Sequence, residues 1–218
     1  MIYEAVDPSA PIRQGDIFVG MPRIDLSLSK LSVVEHDGTT EAAWSDLLQE
    51  GKTEVVAVVG LRPVMGIVLT QDCDAIRAPQ ITLCEVRPFA QVDGIATQAK
   101  DAKSWVSILT KQSRQNLKWF YLPPDSRFAI GERMAADFRI CISVLREDIE
   151  SLRHRRVCRF NAVADEHFLE RLAEFFRRYP VDEWYPFNRE ELRLYTAKNP
   201  DTTAFPWQAA EDSSSAAS

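Results

Sequence analysis

The sequence predicts an α+β fold, mainly β: a small curved barrel carrying inserted helices and a C-terminal helix. Three observations carry that expectation. Two dense apolar runs, 55–59 and 63–70, stand only a few residues apart, and such runs are strands buried on both faces. Gly66 interrupts the second run, where a small barrel needs a bulge or a sharp bend at its corner. Residues 164–179 place Phe168, Leu169, Leu172, Phe175 and Phe176 on one helical face. Asp165 and Glu166 stand at the start of that helix and Arg177 and Arg178 at its end, where the helix dipole favours each charge, and Pro180 stops it.

The elements follow in order. Residues 12–20 read as a turn centred on Gly15 that enters a strand. Residues 27–54 read as an insertion in which Ala43, Trp44, Leu47 and Leu48 have helical spacing and Gly51 closes the helix. Strands 55–59 and 63–70 are joined by Gly60-Leu61-Arg62-Pro63, and 80–87 forms the next strand, reached through the loop Gln71–Pro79. With 12–20, these make one strongly bent antiparallel barrel. Residues 96–114 carry a helical stripe of Ala99, Ala102, Trp105, Val106 and Leu109. A strand over 117–122 stops at Pro123-Pro124. Residues 137–144 alternate as a half-buried strand, with 155–160 as its hairpin partner. The domain expectation is a barrel domain over 1–160 with helical insertions at about 38–51 and 96–114. A C-terminal helix and extension cover 161–196, and a disordered tail covers 197–218.

Composition narrows the function classes. The 218 residues are 45% hydrophobic and 27% charged, ordinary for a globular chain. No uninterrupted apolar run reaches the length of a membrane span, and the N-terminus lacks a secretory signal, so a cytoplasmic protein with reduced thiols and no membrane partner is expected. Four cysteines without a CxxC pair, beside three histidines, give no zinc-ligand pattern, so no metal and no cofactor are expected. A net charge of −6 argues against indiscriminate nucleic-acid binding. The charge is uneven, however. Lys100, Lys103, Lys111, Arg114 and Lys118 form one basic stretch, and Arg153, Arg155, Arg156 and Arg159 form another. Both read foremost as solvated surface, with Trp105 facing the core.

Three pieces in order carry a family resemblance: Arg13-Gln14-Gly15-Asp16-Ile17-Phe18, then Leu61-Arg62-Pro63-Val64-Met65-Gly66-Ile67-Val68, then Gln80-Ile81-Thr82-Leu83-Cys84-Glu85-Val86. Over roughly residues 12–90 the chain resembles the MazF/PemK family of toxin ribonucleases. The resemblance implies an SH3-like barrel, metal-independent cleavage of single-stranded RNA, an antitoxin or other protein partner, and a homodimer as a compatible assembly. It also implies that Arg62, the arginine before the proline, activates and stabilises the scissile phosphate. Where the family keeps Ser or Thr at the end of the following strand, this chain has Arg87, a candidate second phosphate ligand. Thr70-Gln71-Asp72-Cys73-Asp74 is similar to a Ser/Thr-Gln-x-Cys-Asp element recurring in bacterial open reading frames.

The candidate set is therefore Arg62 and Asp72 as catalytic residues, with Gln71, Cys73, Asp74 and Arg87 binding substrate. Asp72 is the general-base candidate. Cys73 is a poor nucleophile between two carboxylates, which disfavour its thiolate. A bend or a returning loop is expected to bring Cys73 close to Arg62. Three functions follow: a protein that binds or cleaves RNA as a toxin or defence-locus component; a non-catalytic protein-interaction module of a mobile-element or defence locus; and, last, a metal-dependent hydrolase around Asp72, Cys73 and Asp74, which lacks a matching set of histidines.

Overall fold

The computed structural model describes residues 2–177, 189–198 and 200. Strand β1 (Tyr3–Glu4) is followed by β2 (Ile17–Ile24), then by the hairpin β3 (Leu31–Glu35) and β4 (Gly38–Ala42), and by helix α1 (Trp44–Gln49). Next come β5 (Ala57–Val58), β6 (Leu61–Val68), the one-turn helix α2 (Asp72–Ala75), β7 (Gln80–Pro88) and the short helix α3 (Phe89–Val92). Helix α4 (Ala102–Gln115), β8 (Trp119–Leu122), β9 (Met134–Leu145), α5 (Arg146–Ser151), β10 (Arg156–Phe160) and α6 (Ala162–Phe176) complete the first unit, Met1–Phe176. The second unit, Arg177–Ser218, contains α7 (Arg189–Lys198), where Arg193 and Glu190 form an ion pair at 2.7 Å. Pro180, and the tail reading beyond Lys198 apart from Pro200, lie outside the described residues.

Helix and strand contribute about equally, which corrects the mainly β expectation: α4, α6 and the shorter helices together match the sheets. The sheets are antiparallel. Seven strands run in the order β1-β10-β2-β6-β7-β9-β8, and three more in the order β4-β3-β5. The hairpin expected between 137–144 and 155–160 does not form. Both edges of β9 are taken, by β7 and β8, so β10 pairs instead with β1 and β2. The insertion expected as helical over 38–51 opens with strand β4, and only 44–49 is helix. In the other insertion a 3-10 turn at Gly94–Gln98 precedes α4.

The apolar run of β6 is dense because both of its faces are covered. Ile67 faces a cluster with Cys84, Phe138, Phe160 and, from α6, Ala164, Phe168 and Leu172. Val64 and Val68 face a second cluster with Phe18, Met21, Ile81, Leu83 and Ile142, covered by Ala75 and Ile149. Phe168 is the hub of the first, with ring centroids 5.3 Å from Phe120 and Phe160 and 5.7 Å from Phe138. A third cluster of Phe89, Trp105, Trp119 and Ala135 seats α4, so Trp105 and Trp119 are core residues.

The expected barrel is corrected: among the described residues no ladder joins the outer strands β1 and β8, so the sheet is open, and the run 55–59 supplies only β5 of the smaller sheet, with Val56 and Val58 exposed. The larger sheet nevertheless curls. The Tyr3 hydroxyl of β1 donates to the Pro123 carbonyl, just past β8, at 2.9 Å, and Phe120 of β8 packs on Phe160 of β10 at 5.3 Å. At Gly66 a side chain would bring a Cβ to 3.2 Å from Leu83, so glycine lets β6 and β7 approach closely.

Candidate functional site

Two charged constellations lie near opposite ends of β6, and the sequence-predicted residues divide between them. The first begins with a repulsion. Arg23 on β2 and Arg62 on β6 are directly opposite, and like charges so placed destabilise a sheet unless acids intervene. Two acids do. Asp25 accepts from Arg62 Nε at 2.9 Å and also pairs with Arg23. Glu85, from the middle of β7, pairs with Arg62 Nη1 at 3.0 Å and with Arg23. The Arg62 hydrogen bond, with help from Arg23, holds the Asp25 carboxyl below the usual aspartate range.

Glu85 has a second acid beside it. Its partner across β7 and β9 is Asp137, and both carboxylates are withdrawn from water. The register shifts here: Cys84 pairs with Cys141 but Glu85 with Asp137, so Phe138, Arg139 and Ile140 bulge out of the ladder. The bulge lets Arg139 fold back on Asp137 with a bidentate grip, Nε to Oδ1 and Nη2 to Oδ2, both 2.8 Å. Arg87 stands over the same carboxylate at 3.7 Å. A buried carboxylate without partners is very costly, and here each has two guanidinium groups. Four arginines against Asp25, Glu85 and Asp137 leave a surplus of one positive charge (four minus three).

Arg23 and Arg139 open into a groove of about 550 Å³. Its other walls include Ile24, Leu61, Ile140 and Val144, so β2 and β6 at one side and β9 at the other share one concavity. Ile24 is 54% exposed and Leu61 63%, an aliphatic rim over an arginine floor. The volume falls within the roughly 300–1,000 Å³ typical of ligand sites.

The second constellation ties the N-terminal turn to α2. Asp72 accepts from Arg13 Nε at 2.9 Å and from the Gln14 backbone N–H at 2.8 Å. Gln14 in turn donates through Nε2 to the Leu69 carbonyl at 2.7 Å. Gln71 occupies the N-cap of α2 in extended conformation without a capping side-chain bond, Asp74 pairs with Arg77 at 3.8 Å, and the Cys73 thiol is exposed. Behind the turn, buried Asp16 binds Arg156 and Arg159 at 2.7 and 2.9 Å. Arg156 also donates to the carbonyls of Asp7, Ala10 and Pro11. The basic stretch 153–159 thus contains a structural clamp for the N-terminal segment.

The structure brings Arg62 and Arg87 onto one patch and leaves Gln71, Asp72, Cys73 and Asp74 elsewhere. Arg62 is near the start of β6 and α2 follows its far end, about 20 Å of strand away at roughly 3.3 Å per residue. Arg62 bonds to Asp25 and Glu85, Asp72 to Arg13 and Gln14, and the two sets share no residue. The expected approach of Cys73 to Arg62 is corrected accordingly: β6 runs its full length between them. Sequence reasoning missed Arg23, Asp25, Glu85, Asp137 and Arg139. A signal was there, since Glu85 interrupts the apolar run Ile81–Val86 and Asp137 stands between Ala136 and Phe138.

Among the described residues no group of three or more His, Cys, Asp and Glu is placed to hold a metal ion, and no helix is long and apolar enough to cross a membrane. Compared with known proteins, the sequence matches no family model and no curated protein.

Proposed function

We propose that this chain is a non-catalytic interaction module whose groove takes an extended peptide segment of a partner protein, acidic residues meeting the arginine floor and apolar residues the aliphatic rim. The observation that carries the reading is that floor and rim together: Arg23 and Arg139 fixed on buried acids, beneath exposed Ile24 and Leu61. Guanidinium groups held in place lose little freedom on meeting a carboxylate, which favours binding. The curled sheet, with Tyr3 spanning its two edges, supports reading the first unit as an SH3-like, MazF/PemK-like barrel left unlaced along one seam.

A nuclease is less well supported. Arg62 and Asp72 lie too far apart to serve one phosphate, and Asp72 is engaged by Arg13 and the Gln14 backbone at its own site. Binding of single-stranded RNA is the second reading, and the gathering of Arg23, Arg62, Arg87 and Arg139 favours it. Against it, Trp105 and Trp119 are buried, and bases stack on exposed aromatic rings.

Short fluorescent peptides alternating glutamate with leucine test the proposal by anisotropy. Leu61→Ser and Ile24→Ser, both at exposed positions, should each weaken binding severalfold without loss of fold. Arg139→Gln, at the groove floor, should weaken it about tenfold, the worth of one charge-assisted hydrogen bond. Peptide affinity unchanged by all three substitutions would dismiss the groove as the site.

A further inference from the structure

Cys84 and Cys141 are cross-strand partners on β7 and β9. The backbone identifies the kind of pair. The Arg146 N–H donates to the Pro79 carbonyl at 2.9 Å, which makes 79 and 146 a hydrogen-bonded position. Counting by twos along the ladder, 81–144 and 83–142 are of the same kind, and 82–143 and 84–141 are non-hydrogen-bonded. The other side of β7 agrees. The Leu69 N–H donates to the Thr82 carbonyl at 2.8 Å, so the even-numbered residues of β7 turn their backbone groups toward β6. Non-hydrogen-bonded partners approach to about 4.5 Å between Cα atoms. That lies inside the roughly 4.4–6.8 Å that a disulfide spans.

The two thiols differ in access. Cys84 is fully buried in the cluster under α6, whereas Cys141 is exposed and lines the groove. The remaining cysteines are placed otherwise: Cys158 is opposite Ile17, and Cys73 is on α2.

We propose that Cys84 and Cys141 form a thiol pair that closes to a cross-strand disulfide, Cys141 being the entry thiol and Cys84 the resolving one. The oxidant is a small-molecule disulfide such as oxidised glutathione. The Cys141 thiolate attacks one of its sulfurs, forms a mixed disulfide and releases one glutathione thiolate. The Cys84 thiolate, its proton lost to solvent, then attacks the Cys141 sulfur and expels the second glutathione thiolate. Two protein thiols are oxidised and one glutathione disulfide is reduced to two thiols. The new bond sits directly beside the bulge that carries Arg139 back to Asp137, so it fixes the strand pair at the groove wall. Burial raises both thiol pKa values, with Asp137 adding to each, so closure is slow at neutral pH and quickens as pH rises. The inference does not depend on what the groove binds.

The test is incubation of the reduced full chain with oxidised glutathione at mildly alkaline pH, then unfolding, alkylation with N-ethylmaleimide and intact mass. The wild type should show a peptide linkage between positions 84 and 141 with no glutathione retained on either, Cys158 alkylated, and the exposed Cys73 alkylated or carrying glutathione. Cys141→Ser, at an exposed position, should form no internal bond. Cys84→Ala should stall with glutathione retained on Cys141. Full alkylation of the oxidised wild type, or a bond mapping to Cys73, Cys158 or a second chain, would overturn the proposal.

Discussion

At the scale of single residues, two aspartates close in space behave in opposite ways. Asp16 is fully buried and neutralised by Arg156, whose side chain is 1% exposed, and by Arg159. Removing its carboxylate strands those guanidinium groups in the interior, so Asp16→Ala should cost about 3–5 kcal/mol in urea unfolding. A loss below 1 kcal/mol would mean that the clamp contributes nothing. Asp165 has no such arrangement. Its Oδ1 is buried without a hydrogen-bond partner, and burial raises its pKa, with Asp72 and Asp16 adding to the effect against Arg13 and Arg159. A carboxyl whose folded pKa lies above its unfolded value favours folding while protonated, and that benefit is lost as pH rises through both values. Asp165→Asn should therefore melt higher than wild type at neutral pH. The gap should close as pH falls below the ordinary aspartate range. A gap that widens in acid would contradict the assigned direction. Neither role was legible in the sequence, where both residues resemble ordinary turn and helix-start acids.

At the scale of elements, periodicity explains what could be read. β6, β7 and α6 were legible because a strand covered on both faces and a helix with one phenylalanine stripe leave plain patterns. The hairpin β3–β4 also left a signal, the two-residue connection His36-Asp37 running into Gly38, but helical spacing nearby outweighed it. The partner of β10 left none. Its neighbours are residues 3–4 and 17–18, and nothing local encodes so distant a pairing. The same holds for the site. Arg62 and Arg87 could be singled out from their strands, yet their meeting over Glu85 and Asp137 depends on register and on a bulge. One turn rests on backbone conformation. Gly15 has φ +79°, and a Cβ there would come within 2.9 Å of Asp165 Oδ1. Gly15→Ala should destabilise by more than about 1 kcal/mol, combining a left-handed strain with a clash. Circular-dichroism melting that shows no loss would mean that the turn relaxes freely.

At the scale of the whole molecule, a chain of net charge −6 carries a charged patch beside the groove whose own balance is positive by one. Long-range attraction of a polyanion is therefore weak, and recognition rests on contact: carboxylates at fixed arginines and aliphatic side chains at the rim. Such binding loses little when salt is raised. A single-stranded RNA held at several phosphates loses much more, its affinity falling with salt at a logarithmic slope of about −0.7 per phosphate contact. The most direct measurement is a paired anisotropy titration across a salt series, using a glutamate–leucine peptide and an unstructured single-stranded RNA with wild type and Leu61→Ser. The interaction-module account predicts micromolar peptide binding with a shallow salt slope, weakened by Leu61→Ser, and RNA binding at least tenfold poorer. RNA bound more tightly than peptide, with a slope steeper than about −2 and no response to Leu61→Ser, would contradict it.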